Sequence, residues 1–455
     1  MTAKTSRRPL QSVVVHSLRE WSQKRSSAFH PLLRACFRIL IVAGCGFAAQ
    51  HPAAAQQLAS SADSGLDWPQ FLGPDRNGIS AETGLLDRFP QEGPPEVWRK
   101  KVGGMSGLAI SRGRIVTMTQ ANRKQWLVAM DAATGEEVWK TEIGPQYKNA
   151  MGDGPRGTPA IDGERVFAFS GEGILTAVNF DDGEILWSHD TVAELGGEPA
   201  EYGMACSPLV VDNRVVVMVG APQATVAAYD VRSGRQAWTA GEDAAGYSSP
   251  ALLNVGGREQ IVVSAGSAVL GLTPQTGEVL WRHPFETDFN CNIATPVAWE
   301  GKVFISSGEN HGCALLELTP RNTGYKVEEV WASLGPKSVM RNEWQTSVLL
   351  DGRLYGLDNV GGAGPVTHLN CVDIATGEQL WQEERFGKGN LIAADGNLWI
   401  ATMEGELVLV RPSPDGYEEL GRAAILGPTR QAPALAGGLM YLRDNEQIVC
   451  LDVRK

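Results

Sequence analysis

The stretch AMDAATGEEVW (129–139) returns along the chain as NFDDGEILW (179–187), DVRSGRQAW (230–238), TPQTGEVLW (273–281) and DIATGEQLW (373–381). A looser copy, TPRNTGYKVEEVW (319–331), carries insertions, and SPDGYEEL (413–420) places Leu420 where a tryptophan is due. A short polar side chain opens each turn, because its oxygen accepts from the backbone N–H groups just ahead of it. Glycine follows, taking the positive φ that the reversal demands. Tryptophan then starts the next strand with a large ring to bury.

The anchors Trp139, Trp187, Trp238, Trp281, Trp331 and Trp381 lie 43 to 51 residues apart, the period of a propeller blade. Alternating strands such as LNCVD precede the turns. Strands such as RVFAF or KVFIS and a Ser/Thr-Pro strand come earlier still, giving four antiparallel strands per period. The chain ends in APALAGGLMYLRDNEQIVCLDVRK (432–455), three strands and Asp452 without the glycine and tryptophan. Those parts stand in EGPPEVW (92–98), as Gly93 and Trp98. The expectation is an all-β, eight-bladed propeller over 92–455. One blade is shared by both termini, and the strand at 95–101 pairs with the strand at 447–453. Such closure removes exposed sheet edges.

Residues 1–55 are different in kind. They hold eight Lys/Arg and one acid, then the apolar run ILIVAGCGFAA (39–49) and an A-x-A site ending at Ala55. That order is a secretory signal, and the run is too short to span a bilayer. An alternative is lipidation of Cys45, at the end of Val42-Ala43-Gly44-Cys45. Residues 56–91 form an entry segment to the propeller. Beyond residue 55, 32 basic face 51 acidic residues, a net charge of −19. Such a surface repels nucleic acid and anionic lipid. The expected location is the periplasm or cell envelope, with no transmembrane helix in the mature chain.

The A-x-D-x-x-T-G-x-x-x-W repeats, together with DWPQFLGPDRNGIS (67–80), resemble the PQQ-like, or quinoprotein-type, propeller family over roughly residues 66–455. The resemblance implies the eight-bladed fold. On function it leaves two readings open. One is a binding or assembly scaffold without a cofactor, like the assembly lipoprotein BamB, which implies a protein partner in the envelope. The other is a PQQ- and calcium-dependent dehydrogenase of alcohols or sugars. The adjacent cysteines of many such dehydrogenases are missing, and their calcium ligands and catalytic Asp have no clear counterparts.

Ligands of propellers sit over the central channel, where the inner strands begin. The residue two places before each Ser/Thr-Pro or equivalent position is, by blade, Ser106, Arg156, Ala205, Tyr247, Ile293, Trp344, Gly389 and Arg430. Arg156, Tyr247, Trp344 and Arg430 are therefore the candidate mouth residues, with Tyr202, Asn292, Arg341, Asn342 and Lys388 nearby. Guanidiniums beside aromatic rings suit a flat or small anionic ligand. The competing reading is that they only line the channel entrance or pair with neighbouring acids. In blade five, FNCNIATP (289–296) and GENHGCALLEL (308–318) bring Cys291 and Cys313 to one end as a candidate disulfide, with Glu309, Asn310 and His311 beside them. His189 and His283 are placed on the surface of outer strands. No nucleophile elbow, P-loop or H-E-x-x-H motif is present.

Overall fold

The computed structural model describes residues 66–362 and 364–455. The expected signal segment and Cys45 lie outside the described residues. Eight four-stranded antiparallel sheets follow one another around a channel. The first strand, β1 (Glu96–Lys100), belongs to the last blade. Blade one is β2 (Ala109–Ser111), β3 (Arg114–Ala121), β4 (Lys124–Asp131) and β5 (Glu137–Pro145). Six further blades follow, from β6 (Ala160–Asp162) to β29 (Glu418–Ala424). Blade eight is β30 (Ala434–Ala436), β31 (Leu439–Arg443), β32 (Ile448–Asp452) and β1. Trp98 stands opposite Cys450, and Lys100 opposite Ile448, so the termini close the ring in the expected pairing. Among the described residues no helix is long and apolar enough to cross a membrane.

The repeat locks each blade to the next. The Asp131 carboxylate accepts from Ala133 N, Thr134 N and Thr134 Oγ1, and Asp230 and Asp373 act alike. The residue after each such turn-opening position offers its carbonyl to the indole of the preceding blade. Trp98 donates to Ala132 O (3.0 Å), Trp139 to Phe180 O (2.9 Å) and Trp331 to Ile374 O (2.8 Å). Two positions break the rule. The turn after Trp281 carries the insertions of 319–331, and Trp281 bonds instead to Gln260 Oε1 of its own blade. Where Leu420 replaces tryptophan, Phe89 of the entry segment packs on Gly421 and lies 5.8 Å from the Trp399 ring.

The Ser/Thr of the inner strands forms a second belt. Thr158 N donates to Ser207 Oγ, Ser207 N to Ser249 Oγ and Thr295 N to Thr346 Oγ1, each joining neighbouring blades. Between blades four and five the link is Tyr247 N to Asn292 O.

The entry segment straps blades one, two, seven and eight together. Trp68 exchanges backbone bonds with Ile110, Pro69 accepts from Ile161, Gly78 and Ser80 bond to Ala393, and Leu86 bonds to Val453. Arg76 is fully buried, its guanidinium donating to the carbonyls of Ser207, Pro208 and Pro250 at the starts of blades three and four. Burial lowers its pKa to about 9. Arg443, equally buried, ties blade eight to blade one through Ser106 O, Thr117 Oγ1 and Val102 O.

Candidate functional site at the channel mouth

The four mouth residues come together. The loop from Tyr147 to Gly157 joins blades one and two. Arg156 Nη1 donates to Gly154 O (2.8 Å) and Nη2 to Gly152 O (2.7 Å), while its guanidinium lies over the Tyr147 ring at 5.2 Å. From the opposite side of the ring closure, Arg430 Nη1 reaches Met151 O of the same loop (3.2 Å). Three carbonyls of one loop, those of Met151, Gly152 and Gly154, thus fix two guanidiniums side by side. Gly152 has φ +125, and a Cβ there would meet the Met105 sulfur at 2.2 Å, so the cradle depends on glycine. Burial holds the pKa of Arg156 below its usual value, and the neighbouring Arg430 charge pushes the same way. Arg430 is lowered by burial too, against the pull of Glu343.

Arg430 also lies over Trp344, 4.3 Å from the ring centroid, and Lys388 Nζ stands at the same distance. Lys388 is paired with Glu343 at 2.5 Å. Burial raises the Glu343 pKa, partly offset by Lys388. Beside these, Tyr247 stacks with Tyr202 at 5.8 Å and its hydroxyl accepts from Tyr202 N. Burial pushes the Tyr247 phenol up to about 12. Phe289 completes the row, 6.5 Å from Tyr202 and 60% exposed.

The remaining neighbours divide. Arg341 is buried and neutralised by Asp358 at 2.5 Å, so it offers no charge to a ligand. Asn292 spends its amide on Ala265 O and Phe285 O, and Asn342 its own on Leu357 O. These three are framework. The disulfide expected of Cys291 and Cys313 is not formed: all five described cysteines are free and buried. The Cys313 thiol faces Ser338 Oγ (3.7 Å) in the blade-five sheet, whereas Cys291 lies among the acids Glu309 and Glu343 toward the mouth. Burial raises both thiols to about 12, which leaves them inert at neutral pH. His311 is half-buried with its ring 4.3 Å from Phe285, in a groove of ≈ 290 Å³ shared with His283 and Glu329. Sequence reasoning passed over Arg76 and the Gly152-Asp153-Gly154 cradle, although two glycines just before a mouth arginine are a legible sign of backbone turned toward it.

A quinone with calcium does not fit these side chains. The space lined by Trp344, Lys388, Asn390 and Arg430 is only ≈ 10 Å³, about the room for one water. Lys388 and Arg430 already lie against the Trp344 ring, and the Glu343 carboxylate is engaged by Lys388. Among the described residues no group of three or more His, Cys, Asp or Glu is placed to hold a metal.

The family profile described as outer membrane protein assembly factor BamB matches residues 84–203 and 123–362, more than half of the chain. The chain belongs to this family. The BamB of Yersinia pestis is 22% identical over 363 residues, covering 78% of this chain and 77% of that protein. The BamB of Shewanella oneidensis is 32% identical over a shorter 154 residues, 32% of this chain and 36% of that one. Among solved structures, the quinohemoprotein alcohol dehydrogenase of Comamonas testosteroni superposes with a TM-score of 0.62 over 88% of this chain and 82% of its own, at 13% identity. That likeness concerns the fold alone.

Proposed function

We propose that the chain is an exported propeller of the bacterial cell envelope that acts by binding protein, as a factor in outer-membrane protein assembly. The observation that carries this reading is family membership, with a BamB relative matched along most of both chains. The build of the mouth supports it: cations and aromatic rings packed on one another present a surface, not an enclosed cavity. A quinone-dependent dehydrogenase draws support only from the shared fold. Deleting the gene in its own bacterium tests the proposal. Assembly function requires a fall in folded outer-membrane proteins and recovery of the tagged chain with the envelope fraction. Unchanged outer-membrane protein levels would sink it. So would a purified chain that retains added PQQ and Ca²⁺ through desalting and then oxidises alcohols.

A further inference from the structure

We propose that the channel mouth is a docking plate for an acidic, extended segment of a partner protein, with carboxylates gripped by Arg156 and Arg430 and apolar side chains laid on Tyr202, Tyr247 and Phe289. This deepens the assembly reading and rests on it.

Three observations point to that occupant. The first is charge. Beyond residue 55 the chain carries a net −19, yet here two guanidiniums are held together by backbone carbonyls of a single loop. Among the described residues, neither is in an ion pair within 4.0 Å. A guanidinium has five N–H groups, and most of those on Arg156 and Arg430 have no protein acceptor. Such a preorganised pair recognises carboxylates by forked hydrogen bonds.

The second is shape. Small organic ligands occupy pockets of roughly 300–1,000 Å³, and the recess between Trp344, Lys388 and Arg430 offers ≈ 10 Å³. Tyrosine, tryptophan and arginine gathered on an open face are instead the composition of protein-interface hot spots.

The third is Phe289. Its φ is +59 and that of Asn290 is +56, a conformation costly for bulky side chains. The turn holds a large ring out in water, 60% exposed, next to the stacked tyrosines. Folding gains little from that arrangement; a partner's apolar side chain would cover the ring.

The test uses the purified chain and a labelled, end-capped peptide alternating Asp and Phe, read by fluorescence anisotropy. An otherwise identical peptide with Asn in place of Asp, and free glutarate, serve as probes. We expect binding of the acidic peptide that weakens with added salt, and a loss of about tenfold for each of Arg156→Gln and Arg430→Gln. Phe289→Ser should weaken binding by several-fold without lowering the melting temperature, which separates docking from folding. Equal binding of the Asn peptide, or variants that bind as the parent does, would overturn the proposal. Displacement of the peptide by glutarate at comparable concentration would overturn it too, in favour of a small-anion site. If docking fails while gene deletion still depletes outer-membrane proteins, the partner surface lies elsewhere on the propeller and the assembly reading stands.

Discussion

The Trp139 ring lies so close on Gly183 of the following blade that a Cβ at that glycine would stand 2.6 Å from an aromatic carbon. Glycine here serves two needs, since its φ of +75 also closes the turn. Gly183→Ala should therefore cost roughly 1–3 kcal/mol through overpacking and backbone strain. Trp139→Phe should lose the hydrogen bond to Phe180 O and some buried area, about 1–2 kcal/mol. Urea unfolding of both single variants and the double variant checks this. The two effects should not add, because the smaller ring relieves the clash.

Arg76→Met keeps an apolar stem but removes every donor to the Ser207, Pro208 and Pro250 carbonyls. Orphaning buried acceptors predicts a loss of about 2–4 kcal/mol. It also predicts new protease cleavage within residues 66–80 while the blades stay intact. Mass spectrometry of limited digests would reveal it, and an uncut strap would contradict this account of Arg76.

Removing residues 446–455 deletes the strand that pairs with β1 and leaves two sheet edges bare. The truncated chain should aggregate, or unfold without a cooperative transition. Size-exclusion chromatography and thermal melting are sufficient; a soluble monomer with parental cooperativity would refute it.

Acid should loosen the seam between blades four and five. Burial holds both His311 and His283 below 6.5, with Asp288 and Glu329 respectively pulling the other way. Between the folded and unfolded values, the unfolded chain binds the extra protons. The stability given by the neutral rings is thus complete above pH 6.5 and lost as pH falls through their folded values. His311→Gln should flatten the decline in melting temperature below pH 6.5. An identical pH profile in that variant would show that His311 does not titrate with folding.

The ring was legible in the sequence because its lock is local and periodic: Asp131, Gly135 and Trp139 recur at a fixed spacing, and the split repeat at Trp98 and Asp452 announces closure. The mouth was half legible. Aligning inner strands places Arg156, Tyr247, Trp344 and Arg430 on one rim. Spacing says nothing of partners, however, so it set Arg341 near the mouth without showing that Asp358, seventeen residues on, neutralises it. Cys291 and Cys313 share an end of blade five, but strand register turns Cys313 toward Ser338. Arg76 was illegible because its acceptors are carbonyls more than a hundred residues away, and carbonyls leave no mark in a sequence.

The strap also sets a timetable. Residues 68–89 emerge early in synthesis, yet Ala393, Leu420 and Val453, to which they bond, come near the end. Until those residues arrive, Ser80, Leu86, Phe89 and the β1 edge have no complete set of partners. Contacts of such long sequence separation form slowly, and unpaired edges in the interval invite misassociation. Refolding of this chain should accordingly show a slow final phase, and a holding chaperone should help most before the last blade is made.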